Sequence, residues 1–308
     1  PSIKGLKSQL VRKILAELRP LMTMLPDTLP PSIVKDVNLI PLGDALLGMH
    51  FPNTSAQISR AKERLGFEEL FELILAAKLN KQANAQLEGW QIPFEQTIVK
   101  KFVASLPFEL TPAQKQAAWD ILQDFEKATP MNRLLQGDVG AGKTVVAGLC
   151  ARQAASHGFQ TAFLAPTEIL ASQHAVTLET LLAPFGVSVA LLTGSVKGKA
   201  RDALLKSLKN GDIDVLVGTH ALLQPTVRFS HLGFVVIDEQ QRFGVNQRQE
   251  LLQKSEHMPH LLAMTATPIP RSLALTLYGE LDVSVISQKP KNRLPILTKI
   301  WAPTSRKQ

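Results

Sequence analysis

The sequence predicts an α/β fold, a parallel sheet covered by helices on both faces and preceded by an α-helical segment. Three observations support this. Short runs rich in Val, Leu and Ile alternate with helix-length segments from about residue 107 onward. Each run ends in small or polar residues, where ligands of such sheets bind. Before residue 90, apolar residues recur at helical spacing and prolines punctuate the pattern.

In chain order, Leu6, Leu10, Ile14, Leu15 and Leu18 mark a first helix. Pro20, Pro26, Pro30 and Pro31 predict an irregular link after it, because proline lacks the N–H that a helix interior requires. A second helical stretch is expected from Thr54 to Leu87, with Leu65, Leu70, Phe71, Ile74 and Leu75 among its apolar positions. Six strands follow: Asn132–Gln136, Gln160–Pro166, Val187–Thr193, Asp214–Thr219, Phe234–Asp238 and Leu261–Thr265. The expected division is a helical region over 1–105, a sheet domain over 106–289 and a basic linker over 290–308. No internal repeat or low-complexity segment stands out.

The chain has 308 residues, 45% of them apolar and 19% charged, enough to build a core and contrary to disorder. Its net charge of +8 suits a polyanionic partner without identifying one. The single cysteine, Cys150, excludes an intrachain disulfide. Flanked by Leu149 and Ala151 in an expected helix, it reads as a small buried apolar residue. No run of about 18 apolar residues and no signal-peptide core is present, so a soluble location in a reducing compartment is expected.

The most specific motif is GDVGAGKT, Gly137 to Thr144. Gly137, Gly140 and Gly142 allow backbone N–H groups to converge on phosphates, and the helix that follows adds a favourable dipole. Lys143 would reach the β- and γ-phosphates of ATP, and the Thr144 hydroxyl would ligate Mg²⁺. Asp238 and Glu239 close the run FVVID. On the same sheet as a phosphate loop, Asp238 suits a second Mg²⁺ contact, and Glu239 a base for the attacking water. Upstream, Thr111 and Pro112 form a helix N-cap and first-turn pair, and Gln114 could present its amide to adenine.

Together these residues resemble the superfamily 2 helicases, and among them the RecG family of ATP-dependent DNA helicases that remodel branched DNA. The resemblance is carried by LPFELTPAQ (106–114), GDVGAGKT, APTEILASQH (165–174), LLTGS (191–195), VGTHALLQ (217–224), VVIDEQQRFGV (235–245) and MTATPIPRSLAL (264–275). Transcription-repair coupling factors share the last two closely. Gln240 after Glu239, and the stretch from residue 43 to 78, favour RecG. The resemblance implies a RecA-like first motor lobe that uses ATP and Mg²⁺. Its partners would be forks and Holliday junctions, reached as a monomer in the bacterial cytoplasm with no membrane contact.

By the same resemblance, Pro166, Thr167, Gly194, Gly218, Thr219 and His220 would line the strand-binding track. Thr265, Ala266, Thr267 and Arg271 would couple the nucleotide site to DNA movement. Arg271 reads equally as a surface arginine, as does Arg242. Gln241 stands where the family usually carries His, and can donate and accept hydrogen bonds but cannot become cationic. Ala141 for Ser and Ser272 for Thr are smaller departures. No second lobe follows 289–293 and no wedge domain precedes Pro1, so a fragment is expected, weak in ATP binding and slow in hydrolysis. A nucleotide-dependent binding module without turnover and a coupling-factor-like translocase stand as the other two readings.

Overall fold

The proline-punctuated N-terminal sequence folds into helices where the prolines fall at helix starts, and the sheet follows. The structure is a computed structural model that describes residues 8–84, 86–266 and 281–288. Two compact units divide between Asn80 and Lys81. The sheet-bearing unit begins at Lys81, and Ile92 and Phe102 are both fully buried in its core.

The first unit contains α1 (Ser8–Glu17), α2 (Arg19–Met22), α3 (Pro31–Asp36), α4 (Leu42–His50) and the start of α5 (Ser55–Asn84). The irregular link expected after residue 18 is wrong in part. Pro20 lies in the first turn of α2 and Pro31 in that of α3, a position where the missing N–H has no intrahelical partner to lose. Arg64 of α5 is fully buried, with Asp27 at 2.5 Å and Glu68 at 2.8 Å. Burial alone pushes the Asp27 carboxyl pKa up, but the N–H groups of Leu29 and Leu42 and the Arg64 charge prevail and hold it below the usual carboxylate range. Removing one partner of so buried an ion costs about 3–5 kcal/mol. Leu70, Ile74 and Leu75, counted on the expected apolar stripe, are exposed.

The second unit begins with α6 (Gln96–Ser105) and α7 (Pro112–Phe125), followed by β1 (Asn132–Gly137) and α8 (Lys143–Ser156). Then come β2 (Gln160–Leu164), α9 (Glu168–Leu182), β3 (Val189–Leu192), α10 (Gly198–Asn210) and β4 (Val215–Gly218). It closes with β5 (Leu232–Asp238), α11 (Val245–Leu252), β6 (His260–Thr265) and β7 (Asp282–Ile286). Its strands form one seven-stranded sheet in the order β3-β4-β2-β5-β6-β1-β7, with every pairing parallel.

Side chains alternate across this sheet with the period of an extended strand. Phe163, Val217, Val236 and Leu262 join Phe102, Leu122, Cys150 and Leu178 of α6–α9 on one face. Leu164, Leu216, Val235 and Leu261 join Leu208 and Leu251 of α10 and α11 on the other. Cys150 is fully buried, which drives its thiol pKa far above the usual value.

All six expected strands are present, two of them shortened at both ends. The seventh, β7, is an addition. It pairs with β1, and Ser284 there accepts a hydrogen bond from Arg133 at 2.8 Å and donates one to Asp120 at 2.7 Å. Among the described residues, no helix is long and apolar enough to cross a membrane.

Candidate nucleotide and strand-binding site

Strand order determines what meets at the carboxyl edge. β6 lies between β1 and β5, so the loop after β1 and the acids after β5 flank the end of β6. Thr265 is registered with Gln136, and Met264 with Asp238. Residues far apart in sequence are therefore gathered around one short stretch of edge.

The loop from Gly137 to Gly142 turns from β1 into α8 with Gly140 at φ 77° and Gly142 at φ 86°. Only glycine adopts these values at little cost. A Cβ at Gly142 would also stand 2.3 Å from Gln114 Nε2. Lys143 Nζ donates to the carbonyls of Gly137, at 2.6 Å, and Asp138, at 3.2 Å. Burial pushes the Lys143 pKa down, opposed by the charges of Asp238, Glu239 and Asp138.

Gln114 takes a position that its sequence did not indicate. Its Oε1 accepts the Thr111 N–H at 2.8 Å while the Thr111 hydroxyl accepts the Gln114 N–H, forming a reciprocal capping box at the start of α7. Its Nε2 then donates to the Ala141 carbonyl at 2.8 Å. The side chain is buried and fastens the phosphate loop to α7.

Asp238 is buried at the end of β5. Glu239, next in sequence, has φ 49° and ψ 54°, a left-handed conformation unusual for a residue with a Cβ. Gln241 donates from Nε2 to Glu239 Oε2, and its Oε1 accepts from the Thr265 hydroxyl at 3.5 Å. One amide thus joins the acidic motif to the end of β6. Ala266 is half-buried beyond it. Thr267 and Arg271 lie outside the described residues.

The expected strand-track residues separate into two groups. Thr167, Gly194 and His220 are exposed and Pro166 is half-buried. The Thr167 hydroxyl caps α9 by accepting the Leu170 N–H, and Glu168 Oε1 accepts the Gly194 N–H at 3.0 Å. His220 packs its ring 5.2 Å from Phe243. Gly218 and Thr219 are buried instead. A Cβ at Gly218 would stand 2.0 Å from Leu222 Cδ1 and 2.2 Å from the Leu192 carbonyl oxygen, so close approach explains that glycine. Arg242 is exposed.

One residue without a role in the sequence reading enters the site. His174, on α9, places Nε2 2.8 Å from Asp238 Oδ2 and Nδ1 3.4 Å from Thr144 Oγ1. Its only sequence signal is its place at the end of APTEILASQH.

The fold and this edge define a class: a RecA-like lobe in which a phosphate-type loop leads from a parallel strand into a helix. The chain belongs to the DEAD/DEAH box helicase family, whose model matches residues 111–276. It is 46% identical over 297 residues to the ATP-dependent DNA helicase RecG of Thermotoga maritima, covering 96% of this chain and 38% of that protein. It is also 51% identical over 257 residues to RecG of Staphylococcus aureus strain Mu50, covering 82% of this chain and 37% of the relative. A solved structure of RecG bound to a three-way DNA junction superposes with a TM-score of 0.80 at 43% identity, covering 96% of this chain and 40% of that one. The chain therefore spans under two fifths of the length of these curated relatives.

Proposed function

We propose that this chain forms the ATP-binding lobe, with its preceding helical region, of a RecG-type ATP-dependent helicase. Its substrates would be branched DNA such as forks and Holliday junctions, remodelled in recombination and repair within the bacterial cytoplasm. The gathering of Lys143, Thr144, Asp238, Glu239 and Thr265 at one sheet edge carries this reading. The likeness to RecG proteins extends it from a nucleotide site to a DNA motor.

Lys143 already donates to two loop carbonyls, and the charged β- and γ-oxygens of ATP are stronger acceptors for the same ammonium. Burial lowers its pKa, and the carboxylates of Asp238, Glu239 and Asp138 oppose that shift. The Thr144 hydroxyl and the Asp238 carboxylate are hard oxygen donors on adjoining elements. Mg²⁺ uses few protein ligands of this kind, with water and phosphates supplying the rest. Among the described residues there is no group of three or more His, Cys, Asp or Glu suited to a metal, so this two-oxygen set fits Mg²⁺ better than a metal needing a protein cage. When bound, Mg²⁺ would neutralise charge on the transferred phosphoryl group.

In this proposal Glu239 receives the proton of the attacking water. Gln241 orients its carboxylate and passes changes at the nucleotide to Thr265 and onward to Ala266, Thr267 and Arg271. Gln114 keeps a second amide hydrogen and a second oxygen lone pair for adenine while holding the loop. Pro166, Thr167, Gly194 and His220 meet strand phosphates, and Gly218 and Thr219 shape the loop behind them.

The test is Lys143→Ala in the full-length protein. ATP-dependent unwinding of a model fork should fall at least a hundredfold, consistent with loss of electrostatic stabilisation of the transferring phosphoryl group. Unwinding at the wild-type rate would overturn the motor reading.

A further inference from the structure

The roles above leave His174 unassigned, although it holds both proposed Mg²⁺ ligands. Its side chain is 13% exposed, and its ring lies 4.6 Å from that of Phe163, tilted by 43°. An imidazole held against a core phenyl thus spans from Thr144 on α8 to Asp238 at the end of β5.

The chemistry of the two contacts is complementary. With its proton on Nε2, the ring donates to Asp238 and leaves the Nδ1 lone pair to accept the Thr144 hydroxyl proton. That commits the hydroxyl proton and leaves the oxygen lone pairs for a cation. Among the described residues His174 engages Oδ2 of Asp238, so Oδ1 lies outside that bond. Two flexible oxygen donors are thereby held by one rigid ring, as outer-shell histidines and carboxylates hold metal ligands elsewhere.

The helix that carries His174 begins at the strand track. Thr167 caps α9, and Glu168 accepts the Gly194 N–H. His174 follows roughly two turns later on the same continuous helix. A displacement of the start of α9 would move the imidazole, and with it the two oxygens.

The geometry points to His174 as a positioning residue that fixes the Thr144 and Asp238 oxygens for Mg²⁺ and transmits strand occupancy to them through α9. This route is separate from the Gln241–Thr265 link and rests on the motor reading above.

The experiment measures binding of a fluorescent ATP analogue to the full-length protein over a Mg²⁺ titration, with and without a three-way DNA junction. For the wild type, junction DNA should lower the Mg²⁺ concentration at half-saturation. His174→Phe keeps ring packing on Phe163 and removes both polar contacts. It should raise that concentration about tenfold, the usual scale for losing an outer-shell partner, and abolish the DNA effect. Analogue binding in EDTA should stay within about twofold of wild type, because the direct phosphate contacts remain. His174→Gln, with an amide able to donate where Nε2 stands, should recover part of the loss.

A wild-type Mg²⁺ requirement in His174→Phe, or a DNA effect that persists in it, would overturn the inference. Lys143→Ala separates the two levels. If Lys143→Ala binds the analogue normally, the nucleotide-site reading fails and this inference falls with it. If Lys143→Ala loses binding while His174→Phe behaves as wild type, only the inference falls.

Discussion

Each end of the sheet carries a histidine that bridges two partners, and the kind of partner differs. At the amino end, His260 is fully buried. Its Nδ1 accepts the Met131 N–H at 3.0 Å and its Nε2 donates to the Trp90 carbonyl at 2.6 Å. Both partners are backbone groups, so this ring closes the fold by joining β6 to the start of β1 and to the segment before α6. At the carboxyl end, His174 remains partly exposed and bonds to two side chains. Buried backbone groups must be paired for the chain to fold at all. At the carboxyl end the partners are side-chain oxygens of Thr144 and Asp238, which the proposed function assigns to Mg²⁺.

If this contrast holds, changes at the carboxyl end should alter turnover and leave stability alone, while changes at the amino end should do the reverse. The largest effect is expected for Glu239→Gln. Losing the proposed base should slow DNA-stimulated ATP hydrolysis by the full-length protein by about 10²–10⁴-fold, with nucleotide binding retained. Equilibrium binding of an ATP analogue measured beside steady-state turnover checks this, and loss of binding would show that Glu239 holds the nucleotide instead.

Next in size is His260→Leu, which leaves the Met131 N–H and the Trp90 carbonyl buried without partners. A loss of about 2–5 kcal/mol in urea unfolding is expected from two such groups. The wild type should also show a pH dependence that this variant lacks. Burial lowers the His260 pKa from 6.5 to about 4, only partly offset by the Trp90 bond and the Asp124 charge. Between those values the unfolded chain binds a proton that the folded chain does not. The stabilisation is therefore full above pH 6.5 and is lost as pH falls towards about 4, by up to about 3 kcal/mol. An equal slope in His260→Leu would assign the effect to another group.

The smallest effect is expected for Gln241→His. Imidazole can also donate to Glu239 and accept from Thr265, so DNA-stimulated turnover should stay within about threefold of wild type or rise. A large loss would show that the geometry of the amide, rather than its donor–acceptor pair, sustains the contact.

The sheet was legible wherever a strand is buried on both faces, because Val, Leu and Ile then crowd into short uninterrupted runs. β2, β4, β5 and β6 are of this kind. β7 was not legible, since DVSVI lies at an edge and one of its valines is exposed. The ionic network through Arg133, Asp120 and Ser284 that fastens it joins residues 151 and 164 apart in sequence.

The run GDVGAGKT and the acids Asp238 and Glu239 were visible as local pattern, and strand order brings them to one edge of the sheet. The anchoring of the phosphate loop by Gln114 was not visible in this way, because Gln114 and Ala141 meet only once α7 packs on α8. The same holds for His174 and Asp238, separated by 64 residues. Local pattern shows which chemical groups a chain possesses, and tertiary packing decides which of them share a partner.

Glu239 illustrates a further tension. A non-glycine residue held in the left-handed region is strained by roughly 1–2 kcal/mol, and Gly or Asn would relieve most of that. Thermal selection applied without a functional screen would therefore favour sequences lacking the acid at this position. Variants engineered for robustness from this lobe would drift towards a sturdier sheet that has given up its proposed base, so any such programme should hold residue 239 fixed.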